Sequence, residues 1–150
     1  MKLIEQQVLA LLEEEDFIAA TSNLSAFLFQ EFKGLNWAGF YFVKNDNLVL
    51  GPFQGKVACT HIPFNKGVCG KCYREKACIN IPDVLAIQNH IACDSTSRSE
   101  LCAPILIQDQ CVALIDMDAP VQNHFSIEDE QKVLLIAHLY EKAIQEHHWY

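Results

Sequence analysis

Short apolar segments joined by tight polar turns are the sequence feature that most restricts the fold. Residues 99–107 and 111–117 form two such segments, and the turn Gln108-Asp109-Gln110 joins them, which predicts a hairpin of two strands. Further segments with the composition of strands cover residues 36–43, 48–50, 57–64 and 78–81. The pattern therefore predicts about six strands, mostly in hairpins.

Helical patterns precede, interrupt and follow these strands. Apolar residues recur at helical spacing in residues 1–16, and a second helix capped by Thr21 or Ser22 is expected to stop before Gly34. Residues 68–76 predict a short inserted helix. Ser126 and Asp129 form a capping box for a last helix, whose core face is expected to be Val133, Leu134, Ala137 and Tyr140. We expect a single α+β domain over residues 1–150, an antiparallel sheet flanked by N-terminal, inserted and C-terminal helices.

Composition excludes several classes of protein. Of the 150 residues 51% are hydrophobic, which supplies a core and argues against disorder. Nineteen acidic and eleven basic residues give a net charge of −8, which disfavours a nucleic-acid partner. No apolar run reaches the roughly 20 residues of a membrane span, and no signal peptide opens the chain. We therefore expect a cytoplasmic protein with no membrane association.

Seven cysteines are an unusual number for such a chain. An odd count without a signal peptide argues against a secreted disulfide framework, which leaves packing, metal binding and redox chemistry as roles. Cys78, Cys102 and Cys111 lie in apolar, strand-like segments and are expected to be core residues. Cys93 differs, because it lies in a polar segment rich in hydroxyl and carboxyl groups, where a thiol is open to chemistry.

The spacing Cys69-Gly-Lys-Cys72 allows three interpretations. A structural zinc site needs a second close pair of ligands, and neither His61 nor His90 completes one, so no metal site is predicted. A thioredoxin-type motif would need a βαβ unit, which the predicted elements do not contain. The remaining interpretation is that both thiols pack inward at the start of a helix.

Several blocks of sequence together resemble the free methionine-(R)-sulfoxide reductases, which are single GAF domains. The blocks, in order, are Asn36-Trp37-Ala38-Gly39-Phe40-Tyr41, Gly51-Pro52-Phe53-Gln54-Gly55-Lys56, Ala58-Cys59, Ile62-Pro63-Phe64, Gly67-Val68-Cys69-Gly70, Pro82-Asp83-Val84, His90-Ile91-Ala92-Cys93-Asp94-Ser95, Ser99-Glu100 and Asp116-Met117-Asp118, with Phe125 as the end of the match. The resemblance spans about 90 residues, and it agrees with the predicted α+β order.

The resemblance implies a thiol-dependent reduction of free L-methionine (R)-S-oxide without a bound cofactor. It assigns Cys93 as the nucleophile that becomes a sulfenic acid, Cys59 as the resolving thiol and Cys69 as an alternate resolving thiol. An intramolecular disulfide then forms, and thioredoxin is the expected external reductant. Cys72 departs from the family pattern, and its role stays open.

The resemblance also assigns Glu100, Asp116 and Asp118 as active-site carboxyl groups. Asp116 and Asp118 are two residues apart on a predicted strand, so both should point to one face, with Ile115 and Met117 on the other. Crowded carboxyl groups raise one another's pKa, which would keep one of them protonated as a donor to the sulfoxide oxygen. The remaining anionic oxygens would hold the ammonium group of a free amino acid.

The substrate pocket implied by the resemblance combines aromatic and backbone groups. Trp37 and Tyr41 match the aromatic positions for the methyl-thioether end, and their spacing of four puts them on one strand face. Backbone N–H groups near Ile91 and Ala92 could bind the thiolate or the substrate carboxylate. Asp94, a further substrate-site residue, and the carboxyl groups work against a thiolate at Cys93.

Two other functions remain open from the sequence. A GAF domain could instead sense a small ligand, although sensor domains normally occur with an output domain in a longer chain. A zinc-stapled interaction domain would unfold with a chelator. The apolar N-terminal helices also leave open a homodimer.

Overall fold

A six-stranded antiparallel sheet with helices on both faces is the core of the molecule. The computed structural model describes residues 1–87 and 95–149. The strands are β1 (Trp37–Lys44), β2 (Asn47–Gly55), β3 (His61–Pro63), β4 (Ile79–Ile81), β5 (Ser99–Ile107) and β6 (Gln110–Ala119), and the helices are α1 (Lys2–Leu11), α2 (Phe17–Glu31), α3 (Gly67–Glu75) and α4 (Ile127–Glu146). A single 3-10 turn spans Val84–Ala86. The predicted α+β architecture is confirmed.

The sheet has the order β3-β2-β1-β6-β5-β4, so that β1 and β6 are its central strands. Each neighbouring pair is antiparallel. The first strand thus pairs with the last one, which joins the hairpin of β1 and β2 to the hairpin of β5 and β6 in one sheet. This long-range pairing brings the aromatic segment near residue 40 beside the acidic segment near residue 117.

The two faces of the sheet have different coverings. One face packs against α1, α2 and α4 and forms the main apolar core, to which β6 contributes Ala113, Ile115 and Met117. The other face packs against α3 and forms a smaller cluster that includes Trp37 and Tyr41 of β1. Alternation along the strands therefore separates an apolar face from a face with polar side chains, and the orientation predicted for Ile115 and Met117 is confirmed.

The helix boundaries at the N-terminus differ from the prediction. Helix α1 ends at Leu11, and α2 already begins at Phe17, because the side chain of Asp16 accepts a hydrogen bond from the Ala19 N–H at 2.8 Å. The expectation of a cap at Thr21 or Ser22 is therefore wrong. Thr21 is instead buried within α2, where its hydroxyl shares a 2.7 Å hydrogen bond with Tyr140 of α4.

The predictions for the lengths of β2 and β3 and for the core face of α4 were wrong in part. β2 continues to Gly55, whereas only His61–Pro63 of the predicted strand 57–64 pairs with a neighbour. In α4 the side chains of Val133, Ala137 and Tyr140 are buried, but Leu134 is 42% exposed, so it does not belong to the core face. Among the described residues, no helix has both the length and the apolar character needed to cross a membrane.

The predicted capping box at the start of α4 is present. The Ser126 hydroxyl accepts from the Asp129 N–H at 3.2 Å, and the Asp129 carboxylate accepts from the Ser126 N–H at 2.9 Å. Helix α3 lacks such a cap, since Lys66 makes no side-chain hydrogen bond at its N-cap position.

Removal of the α4 cap should weaken the fold by a measurable amount. We expect Ser126→Ala to lower the free energy of unfolding by about 1 kcal/mol, because it leaves a helix N–H group without its partner. Equilibrium unfolding in urea measures the change. Lys66→Ala is the matched control and should stay within about 0.5 kcal/mol of the parent; an equal loss in both variants would contradict the assignment.

Candidate active site

Three carboxyl groups meet on the sheet face that α3 covers. Glu100 of β5 pairs directly with Asp118 of β6, and Asp116 lies two residues before Asp118 on the same face. Oxygens of all three side chains lie within 4.8 Å of one another. Glu100 and Asp116 are buried, while Asp118 is half-buried at the end of the cluster. The structure thus brings together the three carboxyl groups that the sequence predicted.

Burial and mutual repulsion determine which of these groups holds a proton. Burial, followed by the charges of Asp116 and Asp118, raises the pKa of Glu100 well above its ordinary range. A hydrogen bond with Asp116 and the nearby Cys69 act in the same direction. Glu100 is therefore a carboxylic acid at a pH at which an exposed glutamate is ionised, and it can donate a hydrogen bond.

An aromatic wall lies beside the carboxyl groups. Trp37 pairs with Asp118 across β1 and β6, and its ring stacks on Tyr41 at 5.9 Å and on Phe53 at 5.2 Å between centroids. Gly39 leaves the room for Phe53, since a Cβ at that position would lie 2.4 Å from the Phe53 Cβ. Trp37 and Tyr41 therefore share a face, as their spacing predicted.

Phe53 is a residue of this wall that sequence reasoning did not assign. Its signal was present, because Phe53 belongs to the block Gly51-Pro52-Phe53 that carried part of the family resemblance. The pairing of Phe53 with Gly39 depends on the register of β1 and β2, which shifts between Gly39 and Tyr41. Such a register shift is not readable from the alternation of side chains alone.

The polar atoms of the Trp37 and Tyr41 side chains donate hydrogen bonds to the backbone of one segment. The Trp37 indole N–H donates to the carbonyl of Lys56 at 3.2 Å, and the Tyr41 hydroxyl donates to the carbonyl of Cys59 at 2.9 Å. Cys59 lies between β2 and β3, is half-buried and is disulfide-bonded. The aromatic wall therefore fixes the backbone that carries this cysteine.

A group of buried thiols lies under the carboxyl groups. Cys69 and Cys72 of α3 both pack inward, and the Cys69 thiol lies 3.9 Å from a Glu100 oxygen as a weak donor. Cys102 of β5 is buried opposite Asp116 and shares hydrogen bonds with Cys69 and Cys72. The inward packing of the helix thiols, one of the three interpretations of their spacing, is what the structure shows.

Cys69 and Cys102 are poor nucleophiles in this environment, because the pKa of each thiol is raised. A hydrogen bond with Cys102 lowers the pKa of Cys69, but burial and then the charge of Asp116 raise it more, to about 12. Burial raises the pKa of Cys102 as well. Cys111 is buried and Cys78 is half-buried just before β4, and both are free thiols.

Two sets of donor atoms have the spacing of metal ligands. One set is Glu100, Asp116 and Asp118, and the other is Cys69, Cys102 and Asp116, with the donor atoms of each within 4.8 Å of one another. The first set is the carboxyl cluster itself, and Asp116 belongs to both sets. Glu100 shares a hydrogen bond with Asp116, and Cys102 shares one with Cys69. The absence of a resident metal stays a prediction.

The predicted residues Ile91, Ala92, Cys93 and Asp94 lie outside the described residues. The described chain on both sides of them is held at the sheet edge near Glu100. The Val84 N–H donates to the Arg98 carbonyl at 2.8 Å, and the Arg98 N–H donates to the Ala119 carbonyl at 2.8 Å. The Asn36 amide donates to the Ser97 hydroxyl at 3.0 Å. These bonds hold the segment that precedes β5 beside the end of β6.

Comparisons with known proteins agree with this site. Residues 10–144 match the model of the GAF domain family. A protein of Escherichia coli named free methionine-R-sulfoxide reductase is 41% identical over 131 residues, which cover 87% of this chain and 79% of the relative. A yeast protein of the same name, from Saccharomyces cerevisiae, is 38% identical over 136 residues, which cover 85% and 76% of the two chains.

A solved structure extends the similarity to three dimensions. The free methionine-R-sulfoxide reductase of Neisseria meningitidis, in complex with its substrate, has a TM-score of 0.89 at 37% identity and covers 97% of this chain and 86% of its own. Fold, carboxyl cluster and relatives lead to one classification. The chain is a GAF domain and belongs to the free methionine-R-sulfoxide reductase family.

Proposed function

We propose that this protein reduces free L-methionine (R)-S-oxide to L-methionine with its own cysteine thiols. The observation that carries the proposal is the buried cluster of Glu100, Asp116 and Asp118 beside the aromatic wall of Trp37, Tyr41 and Phe53. Such a site offers an acid, fixed negative charge and an apolar surface side by side on one sheet face, which are the three features that a zwitterionic sulfoxide requires.

Each part of the substrate has a complementary group in this site. The anionic oxygens of Asp116 and Asp118 suit the α-ammonium group, which a methionine residue within a peptide lacks. The aromatic wall suits the methyl and sulfur end of the side chain. Backbone N–H groups near Ile91 and Ala92, together with Asp94, are the groups that we assign to the remaining polar atoms.

The chemistry begins with a thiolate and an acid. The Cys93 thiolate attacks the sulfoxide sulfur, and Glu100 supplies the proton that the sulfoxide oxygen needs when its bond to the methionine sulfur breaks. The new bond between the two sulfurs then breaks as the protonated oxygen passes to the Cys93 sulfur. Methionine is released and Cys93 is left as a sulfenic acid, so the sulfoxide gains the two electrons that the thiolate loses. The raised pKa of Glu100 supports this role, because the proton is available near neutral pH.

The sulfenic acid is then resolved by a second thiol. We propose that the Cys59 thiol attacks the Cys93 sulfur and that water leaves as the disulfide forms. Support comes from the bonded state of Cys59 and from the free state of Cys69, Cys72, Cys78, Cys102 and Cys111. The pKa of Cys69, raised to about 12, leaves little thiolate at that position and favours Cys59 as the main resolving residue.

Thioredoxin is the reductant that we propose for the Cys59 disulfide. Its dithiol would exchange with the disulfide and return both cysteines to thiols. A reducing compartment such as the cytoplasm suits this cycle, because exposed disulfides are not maintained there.

A coupled assay tests the function directly. With thioredoxin, thioredoxin reductase and NADPH, we expect NADPH oxidation with the R epimer of free methionine sulfoxide and much less with the S epimer. Cys93→Ser should abolish turnover, whereas Cys111→Ser, which removes a buried thiol outside the site, should keep at least half of it. Failure of the reduced protein to convert the R epimer would contradict the proposed function, and activity of Cys93→Ser would contradict the residue assignment.

Removal of the resolving thiol should separate the two chemical steps. For Cys59→Ser we expect one methionine per protein followed by a stall under thioredoxin, because the sulfenic acid has no efficient thiol partner. Rapid-quench measurement of methionine gives the size of this burst. Cys69→Ser is the comparison variant and should continue to turn over; steady turnover of Cys59→Ser would assign resolution to Cys69 or Cys72 instead.

Replacement of the proposed acid should have opposite effects on stability and activity. In Glu100→Gln we expect methionine formation to slow about 100-fold or more, since the proton donor is lost. The unfolded state of the parent releases the Glu100 proton near pH 4.3, whereas the folded state keeps it to higher pH. Folding of the parent therefore becomes less favourable as pH rises between these two pKa values.

Urea unfolding at several pH values measures the effect of Glu100→Gln on stability. Relative to the parent, Glu100→Gln should become progressively more stable as pH rises from about 4 toward 8, because glutamine has no proton to lose. Glu13→Gln removes an exposed carboxyl group and should show no such trend. A stability difference that is independent of pH would contradict the raised pKa of Glu100.

A further inference from the structure

Tyr41 has a hydroxyl group that a purely apolar substrate wall does not need. The side chain is only 2% exposed, and its ring stacks on Trp37. The hydroxyl reaches away from the ring stack and donates to the Cys59 carbonyl at 2.9 Å. A phenylalanine would supply the same apolar surface, so the hydroxyl serves the backbone of the cysteine segment.

The segment that carries Cys59 depends on such bonds. Residues 56–60 contain no helix or strand, and Val57 within them is 88% exposed. The bonds to the backbone carbonyls of this stretch include Trp37 to Lys56, Tyr41 to Cys59, and the Leu50 N–H to Thr60 at 3.0 Å. Of these, the Tyr41 bond is the one made to the residue that carries the thiol.

Tyr41 also connects this cysteine to the carboxyl cluster. Burial, followed by the charges of Asp116 and then Cys69, Glu100 and Asp118, raises the pKa of the Tyr41 phenol above its ordinary value. The phenol thus stays protonated and remains a donor. Its position on the central strand β1, between β2 and β6, makes it a rigid support for a segment without regular structure.

We propose that Tyr41 is a positioning residue for the resolving step, in which its hydroxyl holds the Cys59 backbone so that the thiol can reach the sulfenic acid. The proposal rests on the proposed function, since it concerns the step in which the Cys59 sulfur bonds to the Cys93 sulfur and water leaves. Loss of the hydroxyl should widen the range of Cys59 positions without changing the ring that faces the substrate. A displacement of about 1 Å can slow a reaction step about 100-fold.

The test compares two variants that each remove one buried tyrosine hydroxyl. Tyr41→Phe loses the bond to Cys59, and Tyr140→Phe loses the 2.7 Å bond to Thr21 on the opposite face of the sheet. Reduced protein is mixed with free methionine (R)-sulfoxide. Rapid quench then follows methionine release. A sulfenic-acid probe with mass spectrometry measures the sulfenic acid that remains as the disulfide forms.

The expected result separates the two steps. In Tyr41→Phe, disulfide formation should slow about 10- to 100-fold more than methionine release does, so that sulfenic acid should accumulate. Tyr140→Phe should change neither step, even though both variants lose a comparable hydrogen bond and should lose comparable stability.

Other results would overturn the proposal. Slower methionine release or a raised substrate requirement in Tyr41→Phe, with normal disulfide formation, would assign the hydroxyl to the substrate. Unchanged kinetics in Tyr41→Phe, or an equally slow disulfide step in Tyr140→Phe, would remove the positioning role. Absence of methionine release from the parent protein would instead count against the proposed function, so the two failures are distinguishable.

Discussion

The crowding of three carboxyl groups on one partly buried sheet face is the constraint on which the rest of the site depends. Such groups are normally in contact with water, but Glu100 and Asp116 are buried where α3 packs against β5 and β6. The least costly arrangement retains a proton on one of the buried groups, because a neutral carboxyl group needs far less solvation than a carboxylate. Burial and the neighbouring charges thereby raise the pKa of Glu100, which is the group that we propose as the proton donor.

Such a cluster is tolerable because one face of the sheet forms the main apolar core and the other face holds the site. The face toward α1, α2 and α4 holds most of the buried apolar side chains, including Phe40, Leu101 and Ile115. The opposite face can then hold carboxyl groups, thiols and an aromatic wall without the loss of the main core. Proteins have little free energy to spare, so polar burial of this kind persists only where another part of the fold compensates for it.

Much of this architecture was predictable because local rules and the global fold agree. The turn at residues 108–110 fixed the hairpin of β5 and β6, and alternation along β6 put Asp116 and Asp118 on one face. The capping box at Ser126 marked the start of α4. The family resemblance supplied Glu100, which no spacing rule connects to Asp118, although the two pair directly across the strands.

The parts that the sequence did not predict depend on contacts between distant segments. Asp16 rather than Thr21 caps α2, and the Thr21 hydroxyl instead bonds to Tyr140, which is 119 residues away. Cys102 was expected to be core, and only the pairing with Asp116 shows that it also lies beside Cys69. Likewise, the Tyr41 hydroxyl binds a carbonyl of a segment that has no periodic pattern of its own.

The most direct test of the central claim is the protonation state of Glu100 itself. In protein labelled with ¹³C at glutamate side-chain carboxyl groups, the account predicts one resonance that stays in the protonated form near neutral pH and is absent from Glu100→Gln. The same resonance should move to its ionised position only well above the ordinary carboxyl range. If all glutamate resonances of the folded protein instead ionise together in the acidic range, Glu100 is not the proton donor and the account is wrong.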